Sequence, residues 1–278
     1  KTYFQRQISH MKEKIRIENL QESNIEDIIY VCSSQKLSDP VHQQGIMLKR
    51  QWLREMLEQY GSCGKIAYYN GKPAAQILYY PEQADVTKAS RREDVLVINC
   101  IYNPTPEAQK LGVGLRLLED MIQDVKKRRT CLGNKPCKFI LAKAFNTGEL
   151  LPMPEFYEKN GFLPTSEENL LYLPIEGSYE PTPLVGEYEQ LPEDRNKALI
   201  FYGSICQFSY QFAKRIEEIV REVVPRIKIE MINEWERPEE LIKRKNCGLI
   251  VNAKPIRSFF METDKFRKEI TQAASQNP

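Results

Sequence analysis

Apolar and polar positions in the first 174 residues follow the periods of strands and helices in turn. Alternation predicts strands, apolar residues at every third or fourth position predict helices, and the nearly continuous apolar run 94–102 predicts a strand buried on both faces. In chain order the predicted elements are a strand at 14–20, helices at 23–31 and 46–60, strands at 65–69, 74–80 and 94–102, a helix around 117–125, a strand at 138–145, a helix at 154–160 and a strand at 170–173. This order predicts a mixed sheet with helices on both faces.

A second α/β pattern begins at Lys197, after a segment rich in proline and acidic residues. Its predicted order is β-α-β-α-β-β-α. The predicted elements are strands at 198–203, 227–233 and 248–253, helices at 208–223, after Pro238 and at 263–273, and a hairpin turn after the third strand. We therefore expect one domain over 11–174, a linker or extended wrap over 175–196, and a second domain over 197–278.

Composition and charge indicate an ordinary globular protein. Hydrophobic residues make up 41% and charged residues 28% of the 278 positions, a balance that can bury a core. The formal net charge of +2 is too small to indicate nucleic acid or an anionic membrane. The basic run 126–129 falls at the end of a predicted helix, where cations complement the helix dipole. No apolar stretch approaches the ~20 residues of a membrane span. We therefore expect neither nucleic acid nor a membrane as a partner.

The N-terminus and the cysteines suggest a cytoplasmic protein. Residues 1–10 lack the apolar segment of a secretory signal and resemble a vector-derived tail, with the natural start at Met11. Seven cysteines without a CxxC, together with only two histidines, are a poor supply for a metal site. Reduced thiols in a cytoplasm are the simplest interpretation, and we expect no metal.

The most informative motif is QKLGVG at 109–114, between the buried strand and an amphipathic helix. Glycines at such a junction let backbone N–H groups approach a diphosphate at the helix N-terminus, where the dipole favours negative charge. A Walker loop would need GxxxxGK[ST], and a Rossmann fingerprint would need GxGxxG, so both are excluded. Plain turn glycines are the alternative explanation.

The surroundings of this motif resemble one family. Q-x-x-G-x-G after a buried strand, followed one strand and one helix later by FYEKNGF at 156–162, is similar to the GCN5-related N-acetyltransferase (GNAT) family. The order of elements from 14 to 173 matches as well. The resemblance implies a mixed-sheet α/β acyltransferase domain that uses acetyl-CoA as co-substrate and transfers the acetyl group to an amine by direct attack.

The resemblance implies roles for particular residues. The loop amides of 111–114 would hold the pyrophosphate of coenzyme A, and the strand end 100–102 would diverge from the next strand and pair with the pantetheine arm. Asn146 lies eleven residues before Tyr157, where the family often has seven. The implied cofactor-binding residues are Cys100, Ile101, Tyr102, Gln109, Lys110, Leu111, Gly112, Val113, Gly114 and Asn146.

Three residues are candidates for the proton transfers. Tyr157 matches the tyrosine of the family motif and would protonate the departing thiolate; a core aromatic beside Phe156 is the alternative. Glu93 and Asp94 precede the buried strand and are candidates for the general base, directly or through water. Solvated charges at the strand edge are the alternative for both carboxylates.

The second domain resembles the thioredoxin and glutaredoxin fold. Cys206 follows an apolar strand at the start of a helix, where the dipole favours a thiolate. Ser209 stands where dithiol members of that fold have a second cysteine. If the fold is right, Cys206 and Cys247 would lie close together and form a disulfide or bind a soft ligand; two ordinary buried thiols are the alternative. A GNAT-like domain before a thioredoxin-like one resembles the bacterial YoaP-like acetyltransferases.

Two functional hypotheses follow. The first is an acetyl-CoA-dependent N-acetyltransferase with a small-molecule or peptide amine as acceptor. The second is a thiol-redox or ligand-binding protein that uses Cys206 and whose first domain senses acyl-CoA. Acceptor specificity is expected around 42–60 and at the hairpin of Asn70 and Gly71, where loops vary freely. His42 is a candidate for contact with the acceptor, and a lone polar loop histidine is the alternative. The sequence leaves open the acceptor, the acyl-chain preference, the oligomeric state and the role of the second domain.

Overall fold

The computed structural model describes residues 15–145, 152–183 and 185–275. The chain divides into two compact units. The first unit contains the residues up to Gln35 together with Arg50–Asp85 and Ser90–Thr182, and the second contains Lys36–Lys49, Val86–Ala89 and the residues from Pro183 onward. Each unit has its own sheet.

The first unit is built on a seven-stranded mixed sheet in the order β1-β2-β3-β4-β5-β7-β6. Only β4 and β5 run parallel; every other neighbouring pair is antiparallel. The strands are β1 (Ile15–Asn19), β2 (Gly64–Tyr69), β3 (Lys72–Pro81), β4 (Val95–Tyr102), β5 (Phe139–Lys143), β6 (Leu163–Pro164) and β7 (Leu170–Pro174). The helices are α1 (Ile25–Ser33), α3 (Val113–Lys126), α4 (Met153–Lys159) and the part of α2 (Pro40–Tyr60) from Arg50 onward; the first part of α2, with His42, belongs to the second unit. The predicted mixed sheet is confirmed.

Helix α3 packs on β2, β3 and β4 through one apolar stripe. Its inward side chains are fully or almost fully buried, namely Val113, Leu117, Leu118, Met121 and Val125. One charge is buried under this helix: the ammonium of Lys65 on β2 lies 2.7 Å from Asp120, contacts Asp124, and donates to Asn19 Oδ1 at 2.6 Å. The ion pairs tie α3 to the sheet, so the N-terminus of α3 has a fixed place beside the end of β4.

The predicted segment 175–196 is divided between the two units. Its first part continues along β5, because the N–H of Ile175 donates to the carbonyl of Lys138 at 2.9 Å. The rings of Tyr179 and Tyr172 stack at 4.2 Å, and Arg92 donates to Thr182 Oγ1 at 3.2 Å. These contacts belong to the first unit.

The second unit contains a four-stranded sheet in the order β11-β10-β8-β9. β8 and β9 are parallel, and β10 is antiparallel to both β8 and β11. The elements are β8 (Lys197–Tyr202), α5 (Gln207–Val223), β9 (Lys228–Asn233), α6 (Pro238–Lys243), β10 (Leu249–Val251), β11 (Lys254–Pro255) and α7 (Thr263–Ser275). The predicted β-α-β-α-β-β-α order is confirmed, whereas the thioredoxin-like identity stays a prediction.

A buried ion pair fixes the chain before β8. Arg244, at the end of α6, donates to both oxygens of Asp194 at 2.9 and 2.6 Å, and Asp194 has no exposed surface. The hydroxyl of Tyr188 also donates to Asp194, at 2.8 Å. Bidentate geometry and a third donor satisfy the carboxylate, which a buried charge requires. Residues 188–194 therefore pack as part of the second unit.

Some predicted bounds were wrong. The helix expected from Ser23 begins at Ile25, after a 3-10 turn over Glu22–Asn24. The helix expected from residue 46 begins at Pro40, and the short strand β6 had no prediction. The carboxylate of Asp39 accepts the N–H groups of Val41 and His42 at 2.8 and 3.1 Å and so caps this longer helix. Hydrophobic periodicity could not predict the first turns of α2, because these turns lack a repeating apolar stripe.

Candidate functional site

The stretch 109–114 forms the turn into α3. Gly112 is the residue before the helix and has φ +72°, and Lys110 also has a positive φ of 60°. The N–H of Arg116 donates to the carbonyl of Gly112 at 3.0 Å, so the N–H groups of Val113, Gly114 and Leu115 precede the first intrahelical bond. An α-helix of 14 residues thus presents its N-terminal amides at this loop, which is the arrangement that binds anions.

Three side chains hold this loop, and of these the sequence singled out only Gln109. Asn103 donates through Nδ2 to the carbonyl of Ala108 at 3.0 Å, and Gln109 donates through Nε2 to the carbonyl of Asn103 at 3.3 Å. Thr105 donates to the carbonyl of Ala74 at 2.9 Å. Within the described residues, Oδ1 of Asn103 is buried and has no hydrogen-bond partner. An asparagine after a strand looks like any turn residue in sequence, so no motif indicated it.

Strand β4 extends beyond its pairing with β5. The register with β5 covers Val95–Ile98, whereas the register with β3 continues to Tyr102. Leu78 faces Cys100 and Tyr79 faces Ile98, so Asn99 is an extra residue, a β-bulge. The segment Asn99–Tyr102 is half-buried, in contrast to the fully buried first half of the strand. The end of β4 is therefore the place where two central strands part.

The loop, the strand end and helix α4 meet at Gly114. A methyl group at this position would lie 3.7 Å from Cγ2 of Ile101 and 3.9 Å from Cζ of Phe156. The ring of Phe156 in turn meets the ring of Tyr157 at 5.5 Å, edge to face. The structure therefore brings together three groups of predicted residues, from the glycine loop, from β4 and from the FYEKNGF motif.

Tyr157 is completely buried on α4. Its ring packs against Phe162 at 5.0 Å, and within the described chain its hydroxyl has no hydrogen-bond partner. Burial, and next the nearby charge of a Cys100 thiolate, raise the pKa of Tyr157 well above its ordinary value. The phenol therefore stays protonated, and its hydroxyl is a buried donor that has no partner among the described residues.

The other predicted catalytic residues lie elsewhere. Glu93 is exposed and pairs with Lys135 at 2.7 Å, and Asp94 pairs with Lys138 at 3.1 Å. Both precede β4, so at about 3.3 Å per residue Asp94 lies about 20 Å along the strand from Cys100. The structure does not bring these carboxylates to Tyr157 and favours the alternative of charges at the strand edge. Asn146 lies outside the described residues.

The expected acceptor segment also differs from its prediction. His42 is not on a loop: it lies in α2 and has no exposed surface. Its ring meets Phe208 of the second unit at 4.8 Å, and burial is the first cause that lowers its pKa. The hairpin is confirmed, because Asn70 and Gly71 have positive φ angles of 50° and 79° between β2 and β3.

The two thiols of the second unit differ in environment. Cys206 is exposed at the residue before α5, and Ser209 accepts the N–H of Gly203 at 2.8 Å. Cys247 is half-buried, packs against the cluster of Leu199, Phe201, Ile232, Leu241 and Ile250, and contacts the carbonyl of Leu249 at 3.4 Å. Burial raises the pKa of Cys247. Both thiols are free, and their pairing stays a prediction.

Two other kinds of feature are absent from residues 15–145, 152–183 and 185–275. No three or more His, Cys, Asp or Glu side chains there converge on a position for a metal ion. None of the helices in these ranges has the length and apolar composition needed to cross a bilayer.

Comparisons with known proteins give structural likeness only. No family model matches the chain, and no curated protein matches it. Among solved structures, it is similar to Ard1 from Thermoplasma volcanium, at 10% identity and a TM-score of 0.40, covering 58% of this chain and 98% of that one. It is similar to the ribosomal-protein-S18-alanine N-acetyltransferase from Escherichia coli, at 17% identity and a TM-score of 0.39, covering 61% and 99%. It is also similar to a GNAT family acetyltransferase from Brucella melitensis in complex with acetyl-CoA, at 13% identity and a TM-score of 0.39, covering 60% and 91%. Identities and TM-scores this low do not carry the functions of these proteins over to this chain. The evidence for its function is the geometry of its own site.

Proposed function

We propose that the chain is an N-acetyltransferase that transfers the acetyl group of acetyl-CoA to an amine by direct attack. The observation that carries the proposal is the meeting of three features around Gly114. These are a helix N-terminus that begins at a left-handed glycine, a central strand that extends beyond its pairing with β5, and helix α4, whose Phe156 flanks Gly114 and whose Tyr157 has a buried hydroxyl. A long, thin ligand with a diphosphate at one end and a reactive sulfur at the other would use all three.

The diphosphate would bind at the loop. The amides of Leu111, Gly112, Val113 and Gly114 would donate to its oxygens, with Gln109 and Lys110 beside them. The left-handed conformation of Gly112 turns the chain so that successive N–H groups converge. Among the described residues, no atom outside Gly112 and its chain neighbours lies within 4 Å of a Cβ built at Gly112, which leaves room for a phosphate to approach the backbone.

The pantetheine arm would run along the end of β4. Its amides can pair with the backbone of Cys100, Ile101 and Tyr102 in the manner of an added strand. Oδ1 of Asn103, buried and unpartnered within the described residues, supplies an acceptor for an amide N–H of the arm. This path leads from the loop to Tyr157.

The chemistry needs a leaving-group acid. The neutral amine attacks the thioester carbonyl, and the C–S bond breaks as the tetrahedral intermediate collapses. Tyr157 donates its proton to the departing thiolate; the burial that raises its pKa keeps the phenol protonated until negative charge develops on the sulfur. The same dry surroundings make that thiolate a stronger base. Glu93 and Asp94 take no direct part, and the proton that the amine loses goes to water.

Titration calorimetry of acetyl-CoA into the full chain tests the proposal. Gly112→Glu places a carboxylate where the diphosphate would lie and is expected to abolish binding. Gly61→Glu is the matched control, because Gly61 also has a positive φ, +81°, and open space around its Cβ. Both variants carry the same backbone strain and the same added charge. Binding to the wild type and to Gly61→Glu alone supports the proposal; equal loss in both variants, or no binding to the wild type, contradicts it.

Turnover is the second readout. Release of the free thiol of CoA is followed with a panel of primary amines, and transfer is confirmed by the mass of the acetylated product. Acetyl-CoA binding without transfer to any amine would contradict the enzymatic part of the proposal and leave the phosphate site in place.

A further inference from the structure

We propose that Cys100 accepts the acetyl group of bound acetyl-CoA and forms an S-acetyl-cysteine in the absence of an amine. The inference rests on the proposed function, since it needs acetyl-CoA at the end of β4. It adds a second acyl transfer at the same site, from the sulfur of CoA to the sulfur of the protein and back.

The position of Cys100 is the first argument. It lies two residues beyond Ile98, the last residue of β4 that is paired with β5, and faces Leu78 on β3. Its thiol is half-buried rather than enclosed in the core. A pantetheine arm that pairs with this strand end would carry its thioester past Cys100. Two groups held in such contact react as in a unimolecular step.

The neighbouring phenol is the second, independent argument. Tyr157 is fully buried, and within the described residues its hydroxyl has no hydrogen-bond partner. Phe156 and Ile101 both flank Gly114, which fixes the start of α4 against the residue that follows Cys100. Tyr157 follows Phe156 on α4 and contacts its ring at 5.5 Å, so the phenol lies in the region where α4 meets the end of β4. A buried hydroxyl without an acceptor among the described residues indicates that a bound ligand supplies the acceptor.

The step is balanced without any further reactant. The sulfur of Cys100 attacks the thioester carbonyl, an S–C bond to the protein forms, and the S–C bond to CoA breaks. Tyr157 hands its proton to the CoA sulfur and receives the proton of the Cys100 thiol. One thioester and one thiol are consumed, and one thioester and one thiol are formed. Because bonds of the same kind are exchanged, the transfer is readily reversible.

Two other cysteines serve as comparisons. Cys32 is also half-buried in the first unit, and its sulfur accepts the side-chain amide of Gln76 at 2.9 Å. Cys206 is exposed in the second unit and is open to non-specific chemical acetylation. Selective acetylation of Cys100 over Cys206 would therefore reflect bound acetyl-CoA rather than accessibility.

Isotope exchange tests the inference. The full chain is incubated with acetyl-CoA and isotopically labelled CoA, without an amine, and the label entering acetyl-CoA is measured. Direct attack by an amine cannot exchange CoA, whereas an acetyl group held on Cys100 can. We expect exchange in the wild type and in Cys32→Ser, and exchange at the level of the protein-free control in Cys100→Ala and Cys100→Ser. Tyr157→Phe should slow exchange while acetyl-CoA binding holds.

Peptide mapping of the wild type makes the test independent of variants that fold poorly. After quenching in acid, the acetyl group should be on Cys100, should be removed by neutral hydroxylamine, and should not form when excess desulfo-CoA, which lacks the thiol, competes for the site. Any acetyl on Cys206 should persist under that competition. Acetyl-CoA binding and amine acetylation without exchange or label on Cys100 would overturn this inference alone. Absence of acetyl-CoA binding would overturn both this inference and the proposed function.

Discussion

Gly114 faces Ile101 so closely that a methyl group built on the glycine would lie 3.7 Å from Cγ2 of the isoleucine. This is an ordinary van der Waals contact, so the position has room for one methyl group and no more. Gly114→Ala should keep or raise the free energy of unfolding by up to about 1 kcal/mol, because alanine favours a helix over glycine. Gly114→Leu should lower it by about 1–3 kcal/mol through overpacking. Urea unfolding measures both changes, and equal stability of the two variants would mean that β4 and α4 do not enclose the position.

Tyr157→Phe should separate catalysis from binding. The change removes a hydroxyl that is buried without a partner among the described residues, so stability should hold or rise. Acetyl-CoA affinity by calorimetry should stay close to that of the wild type. Loss of a general acid should lower kcat about 100-fold or more. Phe156→Tyr, which alters the adjacent ring without touching that hydroxyl, is the control for packing. An unchanged kcat in Tyr157→Phe would remove the residue from the mechanism.

The pH dependence of turnover follows from the raised pKa of Tyr157. The phenol is active when protonated, and burial moves its deprotonation to pH values above the ordinary 10.0. The rate should therefore rise as the amine loses its proton and should not fall again below pH 10. A rate profile from pH 6 to 10 measures this, with enzyme stability checked at each pH. A descending limb near pH 8 or 9 that is absent from Tyr157→Phe would contradict the assignment.

Lys65 should be a major contributor to the stability of the first unit. Its ammonium is buried and shared between Asp120, Asp124 and Asn19. Lys65→Met leaves Asp124 and the half-exposed Asp120 without their cation and should cost about 1–3 kcal/mol in urea unfolding, because solvent reaches both carboxylates. Lys135→Met is the matched control, because its pair with Glu93 is exposed and is worth about 1 kcal/mol or less. Similar costs for both variants would show that the buried pairs do not anchor α3.

The thiols should react in the order of their exposure. Cys206 is exposed, whereas Cys63, Cys131 and Cys137 are buried. A thiol reagent added to the native protein should label Cys206 first, and Cys206→Ser should remove that fast phase. Cys247→Ser should leave it unchanged, because burial raises the pKa of that thiol. If Cys206 and Cys247 formed a disulfide instead, the native protein would show two fewer thiols and would regain them on reduction.

Local patterns in the sequence were sufficient for the order of elements in both units. The hairpin at Asn70 and Gly71, the buried strand before the glycine loop and the amphipathic helix after it all depend on residues a few positions apart. Turn geometry, helical period and the φ angle of a glycine are properties of such short stretches. The candidate phosphate loop at 109–114 could be predicted for the same reason.

The tertiary structure decided which distant residues meet. Only the pairing of β4 with β5 shows where the strands part, and only the packing of α4 brings Phe156, and with it the buried Tyr157, to the end of β4. Strand direction and length put Glu93 and Asp94 at the opposite end of β4 from the loop, although they are few residues away in sequence. The same applies to His42, which looks like a loop residue and is buried against Phe208. Contacts between segments far apart in the chain depend on register and packing, which local periodicity does not contain.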